Sequence, residues 1–364
     1  MRKKLPRFPV AIAGLSLLAI ASFVGLRYLG QLAANRYELK SYNVPDGTEP
    51  AVGEEASEVD ATQPAPGNEL LAESARRILA MPSLECKIRQ HVALFGQDIS
   101  GAGSYKQWSP NDIQRVRVRW ELKFQVADEV ATLQQVNDGR FFWIRRDLPG
   151  NQALSRVDLR AVRDLVKRER QRLNDDAILG GWIALGGLAR LVDGLERNFD
   201  FGLAHPRLVD GTPVWVLAGN WRPQVMSALV PETQPFLAQQ KPVPLEKFPA
   251  HLPDLVVVVL SRDARLPAFP YRIEYRRSSG GFVRGTQPLE LTQTQSSAEI
   301  IPLESLKSTS EMAVIDLYEV NLESNLTADD FLFQPPASQQ AADDTDAFVR
   351  RTYSAAPPSP AGEK

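Results

Sequence analysis

The chain has 364 residues, a formal net charge of −2 at pH 7, one cysteine and three histidines. So small a net charge leaves no electrostatic footprint for nucleic acid. The lone Cys86 excludes an intramolecular disulfide and any cluster of cysteine metal ligands.

Arg2, Lys3, Lys4 and Arg7 precede an uncharged apolar run from Phe8 to Leu26. The run has 19 residues, close to the ~20 that a helix needs to span a bilayer. A cleaved signal has a shorter apolar region and a small-residue cleavage site, of which Leu32-Ala33-Ala34 is a poor version. No cysteine follows the run as a lipid attachment point. Residues 1–30 therefore read as a basic flank and an uncleaved transmembrane signal anchor, with the flank in the cytoplasm and the rest outside it. A cleaved signal peptide is the alternative, and both readings export the domain. Residues 31–68, with "VPDGTEPAVGEEASEVDATQPAPG", are rich in Pro and acid and read as a disordered linker. The tail 337–364 has the same character. The folded domain is expected over 69–336.

Within it, "NELLAESARRILAMPSLEC" carries Leu70, Leu71, Ala75, Ile78 and Leu79 on one helical face, and Pro82 ends the helix. "CKIRQHVALFG" reads as a strand, followed by a turn at Gly101 and Gly103. The clearest element is "RVRVRWELKFQV", 115–126. Val116, Val118, Trp120, Leu122, Phe124 and Val126 alternate with Arg115, Arg117, Arg119, Glu121, Lys123 and Gln125. That is a long strand with one apolar and one charged face, suited to a large curved antiparallel sheet. A hairpin then pairs 130–136 with 140–146 across Asn137-Asp138-Gly139, a strong turn signal. Its second strand holds Phe141, Phe142, Trp143 and Ile144 in a row. Successive strand side chains point to opposite faces, so both faces of this strand must be sheltered.

The period then changes. "SRVDLRAVRDLVKRERQRL" has Leu159, Val162, Leu165, Val166 and Leu173 at helical spacing. "GWIALGGLARLVDGLERN" is a second helix with Gly186-Gly187 inside, a site for close packing or bending. Strands resume with a hairpin turning at Asp210-Gly211. A Pro-rich insertion at 222–253 holds one short helix near 224–230. "LVVVVL", "PYRIEYRR", "PLELTQTQ" and "EMAVIDLYEVNLES" supply further strands, and "TADDFLFQPP" closes the domain. Without βαβ alternation the sheet should be antiparallel, with about ten strands.

Chemical constellations are scarce. His91, His205 and His251 lie far apart and share no metal-ligand spacing. No phosphate loop or nucleophile elbow is present. Asp175-Asp176 reads as an exposed acidic helix end, and the Arg-rich side of 157–173 as a solvated face. The expectation is a non-enzyme with no cofactor and no metal.

The order of "GAGSYKQW…RVRVRWEL", "VNDGRFFWI", "ILGGWIALGGL" and "TADDFLFQPP" resembles the bacterial lipoprotein carriers of the LolA/LolB superfamily. The likeness spans most of 70–336. It implies an α+β fold, a curved antiparallel half-open β-barrel wrapped around a helical lid, with acyl chains held between them. Here the chain adds an N-terminal transmembrane helix and the insertion 222–253, which the carriers lack. The implied ligand is lipid or an acylated lipoprotein. The expected apolar lining is Val118, Trp120, Leu122 and Phe124 with Phe142 or Trp143. The implied location is the inner membrane, single-pass, with the main domain in the periplasm. The alternatives are an envelope sensor that binds a partner protein with the same fold, and an enzyme whose site is assembled from distant residues.

Overall fold

The computed structural model describes residues 65–94, 97–109, 115–126, 129–168, 183–286, 308–337 and 339–353. The apolar run Phe8–Leu26, the strand expected at "PLELTQTQ" and Asp175-Asp176 lie outside them. No helix among the described residues is long and apolar enough to cross a membrane.

The strands are β1 (Ala65–Pro66), β2 (Ser83–Leu94), β3 (Gln97–Trp108), β4 (Arg117–Val126), β5 (Glu129–Asn137), β6 (Phe141–Leu148), β7 (Asn151–Asp158), β8 (Phe199–Phe201), β9 (Leu203–Val209), β10 (Thr212–Trp221), β11 (Leu255–Ser261), β12 (Pro270–Ser278), β13 (Thr309–Asn321) and β14 (Ala342–Asp343). The helices are α1 (Gly67–Ala80), α2 (Leu159–Arg168), α3 (Ile183–Asn198), α4 (Pro223–Leu229), α5 (Gln234–Ala238) and α6 (Thr345–Tyr353). The fold is α+β. Its single curved, unclosed sheet runs β1-β9-β10-β11-β12-β13-β2-β3-β4-β5-β6-β7-β14, with β8 beside β10. Every pairing is antiparallel except β14 with β7. Three of the strands have two or three residues, so the full-length ones are close to the number expected.

The alternation in β4 is realised. Val118, Trp120, Leu122 and Phe124 are at most 3% exposed, while Lys123 and Gln125 are exposed. One face of the sheet carries the main core, and α1 and α3 pack on that inner side. Leu71 and Ile78 of α1 and Leu188, Leu191, Val192 and Leu195 of α3 are buried in it. Asn68 pins the start of α1 to the end of α3. Its Nδ2 donates to the carbonyls of Glu196 and Phe199, and its Oδ1 accepts from the Phe201 N–H. The Pro-rich insertion belongs to the same core through Met226, Val230, Val243, Phe248 and Leu252. Arg277 secures it by donating to the carbonyls of Leu245, Phe248, Pro249 and Leu252.

Four sequence expectations are corrected. Gly101 and Gly103 form no turn but sit inside β3. A Cβ on Gly101 would lie 2.6 Å from the Phe124 ring, and one on Gly103 would lie 1.8 Å from the Glu121 carbonyl oxygen. These glycines are gaps on the inner face that neighbouring β4 fills. The helix expected across 155–173 begins later, because Asn151–Asp158 extends the sheet as β7. Asp158 starts α2, its Oδ1 accepting from the N–H groups of Arg160 and Ala161. The linker expected through 68 is already part of the fold at 65–67, since β1 and Gly67 pair with 202–204. Lastly, the tail expected to be disordered from 337 carries β14 and α6. Phe348 of α6 is 2% exposed in the main core, and Thr345 Oγ1 accepts from the Asp158 N–H.

The C-terminal segment also supplies the cover that Phe141–Ile144 demands. Phe142 faces the main core, and Ile144 packs against it. Phe141 and Trp143 point outward, where Trp143 groups with Val136 and Leu154. Phe333 stacks on Trp143 at 5.0 Å between ring centroids. Arg117 and Arg119 reach up from β4 to the carbonyls of Ala328 and Leu332. The outer face of β4–β6 is therefore overlaid by chain, and Arg117 is only half-exposed.

Phe348→Ala should destabilise the protein by about 3 kcal/mol or more, as buried aromatics do. Leu332→Ala, at a side chain 50% exposed, should cost under about 0.5 kcal/mol. Urea unfolding of both variants checks the pair.

Candidate functional site

The inner face of β2–β7 is the candidate site, and its composition follows from strand register. One cross-strand row runs Cys86, Tyr105, Trp120, Gln135, Ile144 and Ser155. The adjoining inner row runs Leu84, Gln107, Val118, Asn137, Phe142 and Val157. Leu122 and Phe124 continue the face on the other side of the first row. Val118, Trp120, Leu122, Phe124 and Phe142 are thus brought together in one apolar cluster. Trp143 is not among them. It faces outward, 7% exposed, with its indole N–H donating to Asp138 Oδ2 at 2.9 Å. Parity decides this: Phe142 and Trp143 are consecutive in a strand and must part.

Asp138 holds the turn that sets this register. Its Oδ1 accepts from the N–H groups of Arg140 and Phe141, and Gly139 adopts φ +92°. The turn chemistry legible in Asn137-Asp138-Gly139 thereby places Phe142 inward.

Above the face lies the start of the regular part of α3. Gly187 has φ +70° and ψ −176°, which breaks the helix between residues 186 and 188. The break lets the Leu188 N–H point down at the sheet. It donates to the Tyr105 hydroxyl at 2.8 Å and to Gln107 Oε1 at 3.1 Å. Tyr105 in turn donates to Gln107 Oε1 at 2.7 Å. Burial pushes the Tyr105 phenol well above its ordinary pKa, so it stays a neutral donor. Cys86, in the same row, is 1% exposed, and burial raises its thiol to about 12. It is a small apolar residue and not a nucleophile. The sequence marked Gly186-Gly187 as a point of bending but gave no sign of Tyr105 and Gln107 as its partners. They lie about eighty positions away, and only the tertiary fold joins them.

The histidines play no part in this face. His91 Nδ1 lies 2.9 Å from Ser100 Oγ and 3.3 Å from Asp98 Oδ1, at the β2–β3 hairpin. His205 lies on β9, and His251 lies in the insertion. Among the described residues no group of three or more His, Cys, Asp and Glu could hold a metal ion. The arrangement offers apolar surface and a few neutral hydrogen-bonding groups.

The chain matches no protein-family model and no curated protein. Solved structures similar to it include LprF from Mycobacterium bovis, at 9% identity over 72% of this chain and 94% of that one, with a TM-score of 0.33. Lipoprotein LppX from Mycobacterium tuberculosis matches at 12% identity over 72% and 99%, with a TM-score of 0.32. A LolA superfamily protein from Nitrosomonas europaea matches at 13% identity over 74% and 98%, with a TM-score of 0.24.

Gly187→Ala should destabilise by about 1–3 kcal/mol, because the backbone there suits only glycine and the added Cβ would fall 2.3 Å from Gln107 Oε1. Gly194→Ala, in the regular part of α3 with open space around it, should instead stabilise by about 0.5–1 kcal/mol. Thermal melts of the two variants distinguish the break from an ordinary helical glycine.

Proposed function

We propose that this protein is held in the inner membrane by its N-terminal helix and binds acyl chains of lipid or lipoprotein in the periplasm, without catalysis. The observation that carries the reading is the one-sidedness of the sheet. Its inner face is mostly apolar, and it is covered by two helices and an insertion instead of a second sheet. Helices on an open sheet separate without breaking its ladder. An acyl chain entering between them gains about 25 cal/mol for each Å² of apolar surface removed from water. Val118, Trp120, Leu122, Phe124 and Phe142 would line its path. The anchor reading rests on the basic flank and the Phe8–Leu26 run. A tether suits a fixed receptor, extractor or sensor better than a carrier that must cross the envelope.

The full chain, purified in a bile-salt detergent that carries no acyl chain, should yield stoichiometric acyl lipid on organic extraction and mass spectrometry. Leu122→Trp should weaken displacement of a fluorescent acyl probe while leaving the melting temperature nearly unchanged. Loss of stability from overpacking, by about 1–3 kcal/mol, with no saturable probe binding by the parent, would favour a partner-binding domain with a filled core.

A further inference from the structure

The inner face is not wholly apolar. Trp120 is 3% exposed and Gln107 is 1% exposed. The Trp120 indole Nε1 and the Gln107 amide Nε2 are both enclosed and without a hydrogen-bond partner. Trp120 stands opposite Tyr105, and Gln107 stands opposite Val118. The two orphans are thus diagonal neighbours on one face of β3–β4, about 7–8 Å apart in ordinary sheet geometry. An enclosed donor without an acceptor is costly, so two on adjacent strands form a feature that asks for a partner.

The orientation of the Gln107 amide is fixed by its surroundings. Its oxygen receives the Leu188 N–H and the Tyr105 hydroxyl. Turning the amide over would set its NH₂ group against the Leu188 N–H. The free end is therefore a donor. Trp120 has only a donor to give. Both orphans need an acceptor oxygen.

The charge of that acceptor follows from what is missing around it. Among the described residues, no Lys or Arg belongs to the fully buried set. A carboxylate or phosphate brought here would meet two neutral donors and, among the described residues, no fully buried cation, which is a costly burial for an ion. A neutral carbonyl loses far less on leaving water and needs only one or two donors.

We infer that Trp120 Nε1 and Gln107 Nε2 form a docking point for the neutral carbonyl oxygen of an acyl ester or amide, set within the apolar path of the chain. This rests on the acyl-binding reading above and narrows it. The ligand is an esterified or amide-linked acyl group, as in a glyceride or an acylated polypeptide, and not a free fatty acid. The ester is held at the β3–β4 level beneath the start of α3.

The test uses the full chain in the same bile-salt detergent, with methyl dodecanoate, dodecanoate and 1-dodecene as probes. Trp120→Phe removes the indole N–H and keeps an aromatic ring. It should still fold, because removing an unpartnered donor offsets part of the packing lost with the smaller ring. Displacement of a fluorescent acyl probe by methyl dodecanoate should weaken about five-fold in the variant, the worth of one hydrogen bond. Displacement by 1-dodecene should weaken much less than displacement by the ester, and comparing two proteins with one probe cancels partition into micelles. Dodecanoate should be the weakest competitor per acyl chain above its pKa. A second readout is independent of stability. Methyl dodecanoate labelled with ¹³C at its carbonyl should show a lowered infrared stretch when bound to the parent, partly restored in Trp120→Phe. An unshifted carbonyl band, with ester and alkene binding equally in both proteins, would overturn the docking point and leave acyl binding standing. Failure of every probe to displace would overturn acyl binding itself, and the docking point with it.

Discussion

β2 and β4 turn an apolar residue toward the same side at almost every second position, and Tyr105, Leu133 and Phe142 add to that side from β3, β5 and β6. That side has to leave water, and the sheet is too wide to hide it by closing on itself. The rest of the molecule follows from this requirement. The helices α1 and α3 lie across the middle of the face, and Asn68 joins their ends. The Pro-rich insertion covers the far end beneath β10–β12, where Arg277 ties its carbonyls together. Phe348 closes the end near β7. Three unrelated pieces of chain thus answer one demand. None of them is a second sheet.

The outer face obeys a different rule. Along β4 it is charged, and much of it needs no cover. At β5–β7 it is apolar enough, through Phe141, Trp143 and Leu154, to require one. The C-terminal segment meets that need with Phe333 and with carbonyls that accept from Arg117 and Arg119. It then adds β14 to the β7 edge. An exposed edge strand invites pairing with other chains, and β14 with α6 blunts this one.

Much of this was legible in the sequence because it is local. The period of two in 115–126 gave the buried and charged faces of β4 residue by residue. Asn137-Asp138-Gly139 gave the hairpin, and Asp210-Gly211 gave another, with positive φ at both residues. The order of elements suggested the open antiparallel sheet. What escaped was of two kinds. Some local signals are ambiguous: a glycine at 101 or 103 reads as a turn, yet the same residue serves a strand wherever a neighbour fills its space. Asp158, which caps α2, went unread: the helical period of the residues after it carried the helix back over β7. Other features exist only in three dimensions. Nothing near Phe348 marks it as a core residue, and nothing near Gln107 announces that it receives the Leu188 N–H. In the site, parity alone separated Phe142 from Trp143, while the polar pair was hidden because β3, which carries Gln107, read as a turn at Gly101 and Gly103.

The central claim is that an acyl chain enters between α3 and the inner face of β4. Bromine on an acyl chain quenches tryptophan fluorescence only at close contact, so it reports where the chain lies. Methyl 9,10-dibromostearate titrated into the full chain in bile-salt detergent should quench a saturable fraction of the emission. Trp120→Phe should remove most of that fraction, and Trp143→Phe, on the outer face, should leave it intact. Absence of saturable quenching, or quenching that Trp143→Phe abolishes and Trp120→Phe does not, would contradict the account.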